Sequence, residues 1–173
     1  HKGLRPAVVR LYDEVEAVPK ISSYGFEKGF VLLILVFEGN KEMSELEAGM
    51  TKEICLGNNG RYKGELAARE WLETRFSTKK MLDFDAIKGG TADAIEVAAP
   101  WDCIENVWRE MRKALEPMCT VVDCHFSHVY HNGASVYVIY HAKTDGDDKA
   151  GEERYLQCLD TAIQTSLKYG GNV

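Results

Sequence analysis

From Val121 to Ala142 the chain reads VVDCHFSHVYHNGASVYVIYHA, two runs of β-branched and aromatic residues on either side of Asn132-Gly133. Asn-Gly between such runs predicts a hairpin, because a type I′ turn needs φ > 0 at both central residues. A two-residue loop there would pair His131 with Ala134, Tyr130 with Ser135, Val129 with Val136 and His128 with Tyr137. Period-two alternation then sorts the faces. Ala134, Val136, Val138 and Tyr140, with Val129, make the side expected to pack on helices. Tyr137, His128, Phe126, Tyr130, Ser135 and His141 make the other, too polar for a core and too aromatic for an ordinary solvated surface. Tyr137 and His128, with Cβ atoms roughly 5 Å apart across such a pair, are a candidate acid/base couple. A half-buried polar face with satisfied hydrogen bonds is the alternative.

The rest of the chain supplies the partners of this hairpin. Pro6 to Asp13 (PAVVRLYD) reads as a short strand with Arg10 embedded among apolar neighbours. Such an arginine either snorkels to a carboxylate or is a buried cation aimed at an anion or a phenolate. Val15 to Phe26 is expected to be irregular. Gly29 to Glu38 (GFVLLILVFE) is a continuous apolar run, predicting a central strand buried on both faces. Met43, Leu46, Met50 and Ile54 follow at helical spacing after Gly39-Asn40, and Gly57-Asn58-Asn59-Gly60 ends that helix. A second helix is predicted from Glu65 to Phe76. Ser77 to Gly90 is the least regular stretch; Lys79 and Lys80 in it are either solvated or a phosphate-contacting loop.

Thr91 to Trp101 predicts a strand, and Asp102 with Glu105 three residues on suggests a capping box. Ile104, Val107, Trp108, Met111 and Leu115 form one apolar helical stripe. A last helix is predicted from Glu152 to Lys168, with Leu156, Leu159, Ile163 and Leu167 inward. The order of elements predicts an α+β fold, a ferredoxin-like antiparallel sheet with helices packed on one face and the Tyr137 face left open.

At 173 residues, 45% hydrophobic and 28% charged, the composition suits one globular domain with a real core. A net charge of −6 argues against a nucleic-acid binder and leaves membrane contact at most peripheral. The longest apolar run, Phe30 to Phe37, falls far short of the roughly 20 residues a span needs. The 5 cysteines are scattered without a CxxC and read as free thiols in a reducing, cytoplasmic compartment. His125, His128 and His131 do not share a face on a strand, so no metal site is expected.

Several blocks in fixed order carry a resemblance: PAVVRLYDE, FEGNKE, the Trp71, Arg75 and Phe76 group, ADAIEVAAPWD, FSHVYHNGASVYVIYHA and KYGGN. Together they resemble the C-terminal cap half of FAD-linked oxidases of the vanillyl-alcohol oxidase type, nearest to the alkyldihydroxyacetonephosphate synthases. The resemblance implies that residues 1–173 are one cap domain and that FAD is held mainly by a separate domain of the same parent chain. The open sheet face would cover the flavin and line the substrate pocket. In such synthases a tyrosine takes a proton from acyl-dihydroxyacetone phosphate, the flavin N5 adds as the fatty acid leaves, and a fatty alcohol replaces the flavin. The tyrosine falls on Tyr137 and the essential arginine on Arg10. Arg10 or a protonated His128 would stabilise the phenolate of a group whose reference pKa is ~10. His128, Lys79 and Lys80 are the residues implied to touch substrate.

The resemblance has departures. His1-Lys2-Gly3 is no natural beginning, and the chain stops at Gly170-Gly171-Asn172-Val173 where the family continues into histidines beside the flavin. A fragment, inactive alone, is therefore expected. The arginine that relatives place before the position of Asp83 for the substrate phosphate is Leu82 here, leaving Lys79 or Lys80 as a point charge. Two alternatives stand beside the synthase: an FAD-dependent oxidoreductase acting on a 2-hydroxy acid or similar alcohol, and a flavin-free ferredoxin-like binding module. Metal-dependent 2-hydroxy-acid dehydrogenases carry a second histidine where this chain has Ser135. A lipid-like or hydroxy-acid substrate, a homodimer, and a peroxisomal location for a eukaryotic synthase complete the expectations.

Overall fold

The computed structural model describes residues 3–21, 29–77, 90–144 and 148–173. In chain order these form β1 (Val8–Tyr12), α1 (Glu14–Ile21), β2 (Leu32–Val36), α2 (Lys41–Gly57), α3 (Leu66–Thr74), β3 (Gly90–Pro100), α4 (Ile104–Leu115), β4 (Val121–Val129), β5 (Gly133–Lys143) and α5 (Asp148–Lys168). The strands make one sheet in the order β2-β1-β4-β5-β3, with every neighbouring pair antiparallel. The second half is the expected ferredoxin-like arrangement. β5 lies between β3 and β4, and the chain leaving α5 returns to the outer edge of β3, where Asn172 N–H donates to Ala98 O at 2.9 Å. The first half differs: β1 and β2 form an antiparallel pair added at the β4 edge.

Two cores lie on opposite faces. The larger packs α4 and α5 on β3, β4 and β5. The sequence stripe of α4 is borne out: Ile104, Val107, Met111 and Leu115 are all buried, each contributing about 1.5–3 kcal/mol by leaving water. α5 presents a different face from the one expected. Its buried residues are Gly151, Cys158, Ala162 and Ser166, while Leu156 and Leu167 are about half exposed. Small side chains let this helix lie close to β3; Leu159 packs against the larger core as expected, while Leu156 and Leu167 turn outward.

The smaller core is Tyr12, Ala17, Leu32 and Ile34, with Phe30, Ala67, Ala68 and Trp71 against it. Tyr12 is paired with His125, and paired residues share a face, so α1 and α3 cover the Tyr12 side. The antiparallel sheet with helices is as predicted, but the helices divide between the two faces. Over β5 and β3, no helix among the described residues covers the face opposite α4 and α5.

Three local expectations are corrected. Residues 14–21 are helical, although Pro19 argues against it. Buried Asp13 starts this helix, its Oδ1 accepting from Val15 N–H at 3.1 Å and Glu16 N–H at 2.9 Å. β2 is an edge strand, so its apolar run is buried on one side only, with Val31 58% and Leu33 40% exposed. α4 is capped at Cys103 with no side-chain cap bond; Glu105 turns instead to Arg109, 2.8 Å away. No helix among the described residues is long and apolar enough to cross a membrane.

Candidate functional site

The hairpin exists, but its turn and register differ from the Asn-Gly prediction. Tyr130 N–H donates to Gly133 O at 2.8 Å, which makes His131 and Asn132 the two residues of the loop. Neither Asn132 nor Gly133 has positive φ. Gly133 is required for a different reason: a Cβ there would stand 2.1 Å from Ala99 O, so β3 presses directly on its backbone. Trp101 closes the same end, its Nε1–H donating to His131 O at 3.2 Å.

A β-bulge then shifts the pairing. Ser127 faces Ser135 and Val129 faces Ala134, so His128 is the extra residue, in the left-handed region at φ 47. The residue directly opposite Tyr137 is His125, and the one opposite Val136 is Phe126. Phe126 lies on the helix side, edge-on to Trp108 with ring centroids 6.0 Å apart. Plain alternation would send His128 to that side as well. The bulge turns it back to the open face, its ring 6.1 Å from that of Tyr137.

Residues from five elements meet around Tyr137. Its hydroxyl donates to Glu96 Oε2, from the residue directly across on β3. Glu96 Oε1 lies 3.3 Å from His128 Nδ1. The His125 ring stacks on the Tyr137 ring, centroids 4.9 Å apart and planes 13° off parallel. His125 Nδ1 is 2.7 Å from Glu16 Oε2 of α1 and 3.4 Å from Arg10 Nη2 of β1. One nitrogen cannot donate to the carboxylate and accept from the guanidinium together. The shorter contact fixes the proton on Nδ1, facing Glu16. The Arg10 guanidinium lies 5.1 Å from the Tyr12 ring and 5.9 Å from that of Trp71 on α3, within cation–π range. Its Nε is shut from water with no hydrogen-bond partner among the described residues.

The electrostatics follow from these contacts. Burial, the hydrogen bond to Glu96 and the Glu96 charge push Tyr137 up to about 12, with Arg10 pulling the other way. Burial would raise Glu96, but hydrogen bonds from Tyr137 and Ser135 and the nearness of His128 win, holding its carboxyl below the usual range. Glu16 is likewise held low: His125 and Lys20 outweigh its burial. As folded, Tyr137 is a neutral phenol bonded to a carboxylate, and the expected help from His128 goes to Glu96 instead.

A family described as FAD linked oxidases, C-terminal domain, matches residues 1–173. The chain belongs to that family. An alkyldihydroxyacetonephosphate synthase of Dictyostelium discoideum is 22% identical over 159 residues, covering 88% of this chain and 26% of that protein. An uncharacterized FAD-linked oxidoreductase of Escherichia coli K12, YgcU, is 24% identical over 193 residues, covering 99% of this chain and 38% of the relative. The chain thus spans well under half the length of these relatives. Two solved structures of alkyldihydroxyacetonephosphate synthase share the fold. One, in crystal form P212121, has a TM-score of 0.75 at 18% identity, covering 98% of this chain and 36% of the other. The second, in form P1, has a TM-score of 0.73 at 22% identity.

Within this FAD-linked oxidase domain, Tyr137, Arg10 and His128 stand in one cluster. Lys79 and Lys80 lie outside the described residues. Glu96 and Glu16 were not singled out in the sequence, and His125 was considered only as a metal ligand. Glu96 had a findable signal, since ADAIEVAAP is an alternating strand with one carboxylate in its middle. Among the described residues no group of three or more His, Cys, Asp or Glu is placed to hold a metal. All five cysteines are free thiols. The sheet face around Tyr137 is polar and aromatic, and the buried Nε of Arg10 has no hydrogen-bond partner among the described residues.

Proposed function

We propose that this domain is the substrate-side cap of an FAD-dependent enzyme of the alkyldihydroxyacetonephosphate synthase kind, exchanging the acyl group of a dihydroxyacetone phosphate for an alkyl group. The observation that carries the reading is Tyr137 on the uncovered part of the sheet, stacked on His125, with the Arg10 guanidinium reaching the same histidine. Bound FAD would supply an electrophilic ring at which the substrate carbon is held or oxidised. The cap's own residues do the rest. Tyr137, after releasing its own hydroxyl proton to solvent, takes a proton from the substrate carbon as the phenolate; Arg10 lowers the cost of that phenolate, and the aromatic wall of His125 and Tyr137 keeps water from the reacting atoms. Glu16 and Trp71 hold His125 and Arg10 in place from the covered side.

The test uses the flavin-loaded polypeptide that carries this domain. Tyr137→Phe is expected to leave the flavin spectrum intact and to lower turnover on the order of 10²–10⁴-fold, as loss of a positioned acid/base does. Arg10→Lys is expected to lose much of the rate too, because lysine lacks the planar fork. Unchanged turnover in the Tyr137 variant, or a parent polypeptide with no flavin absorbance, overturns the reading. A second reading, FAD-dependent oxidation of a 2-hydroxy acid or similar alcohol, is favoured by the likeness to an FAD-linked oxidoreductase over 99% of the chain. The two separate on one point. Acyl-for-alkyl exchange proceeds without an external electron acceptor; oxidation consumes one.

A further inference from the structure

We propose that Glu96 is a positioning residue for Tyr137, fixing the direction of its hydroxyl and setting the pH at which it gives up its proton. This rests on the reading of Tyr137 as the proton-moving group and assigns a control to it. The geometry is a cross-strand pair in register, Glu96 on β3 against Tyr137 on β5. The two carboxylate oxygens divide their partners. Oε2 accepts from the Tyr137 hydroxyl, and Oε1 faces His128 Nδ1. His128 reaches that oxygen only because the bulge at φ 47 turns it off the helix side. A backbone conformation that non-glycine residues rarely adopt thus delivers one more donor to Glu96.

The groups around Tyr137 are Glu96 from β3, His125 and His128 from β4, Arg10 from β1 and Tyr130 from the hairpin tip. Glu16 of α1 stands behind His125. Of these, Arg10 favours the phenolate and Glu96 opposes it, with Glu96 in direct hydrogen bond. An anionic carboxylate accepting from a phenol holds the proton on the phenol. Neutralising Glu96, or drawing it toward a protonated His128, releases that hold. The carboxylate itself is a poor final acceptor, since its partners keep it below the usual carboxylate range. Its work is done through Tyr137.

The experiment follows Tyr137 itself. The 173-residue chain, labelled with ¹³Cζ-tyrosine, is titrated by NMR from pH 7 to 11, and Tyr137→Phe assigns the resonance among the 8 tyrosines. In the parent sequence Tyr137 is expected not to reach its midpoint in this range. In Glu96→Gln the midpoint is expected to fall by at least about one unit, a tenfold gain in phenolate at neutral pH. Glu96→Asp, which keeps the charge, is expected to stay near the parent. A Glu96→Gln titration identical to the parent's overturns the inference. In the flavin-loaded polypeptide, the basic limb of the kcat/KM profile is expected to move with the NMR midpoint. If the midpoint moves while Tyr137→Phe keeps full activity, the catalytic reading of Tyr137 fails and the Glu96 coupling stands as measured.

Discussion

Asp123 offers a prediction whose size can be worked from its surroundings. It lies two positions before His125 on β4, on the face that α1 covers, and its Oδ1 is buried with no hydrogen-bond partner among the described residues. Burial first, then the charges of Glu16 and Asp13, raise its carboxyl from 3.8 to about 7; Lys20 and Arg112 pull back. Between those two values the folded chain holds a proton that the unfolded chain has lost. Stability tied to that proton is fully present below the lower value and falls as pH rises through the higher one. Three units at ~1.36 kcal/mol each set a ceiling of about 4 kcal/mol. Partial exposure of the carboxylate reduces this to about 2 kcal/mol. Asp123→Asn keeps the shape and removes the charge. Its urea-unfolding free energy is expected to match the parent at pH 4, to exceed it increasingly up to pH 7, and to stay about 2 kcal/mol higher above that. Far-UV circular dichroism at pH 4, 6 and 8 measures this. A difference that does not change with pH, or a variant less stable at pH 8, refutes the argument.

Gly133→Ala is expected to lower stability by about 3 kcal/mol, because the new methyl group would stand 2.1 Å from Ala99 O and must push β3 off β5; chemical denaturation checks it, and a neutral result means the strands are farther apart than described. His128→Gly removes a non-glycine residue from φ 47, which returns about 1 kcal/mol against an exposed contact to Glu96 worth less than that. The variant's thermal midpoint is therefore expected to rise slightly, and a fall would show that the histidine side chain holds the bulge.

What could be read from the sequence was whatever period and composition control locally. The α4 stripe and the facing β5 residues Ala134, Val136, Val138 and Tyr140 are buried as their spacing requires. The hairpin register was not legible, because a bulge is one extra residue whose position depends on how β3 and β5 meet β4. The Asn-Gly pair drew the turn one residue too far along. Its glycine is there for the close approach of Ala99, a contact from a strand more than thirty residues earlier. α1 was hidden by Pro19, and only Asp13 announced it. The apolar run of β2 reads as central because edge position is a property of the whole sheet, invisible in one segment. Arg10 and Tyr137 came through the family resemblance, and Tyr137 through the hairpin face as well. Glu16 has no signal in its own segment, and Glu96 shows only as a carboxylate in mid-strand; the partner of either, across a sheet or on a neighbouring strand, has no signature there.

β1 joins β4 through a short stretch, Leu11 against Phe126 and Tyr12 against His125, while β3, β4 and β5 are zipped along most of their length. The two cores lie on opposite faces of the sheet, the smaller one on the β1 side of that seam. Arg10 and Glu16 stand on one side of it; His125, Tyr137 and Glu96 on the other. The cluster therefore spans two blocks, and a displacement of the β1–β2 block is expected to take the guanidinium away from the phenol. A domain built this way is expected to lose the Arg10, His125 and Tyr137 arrangement by local opening instead of global unfolding.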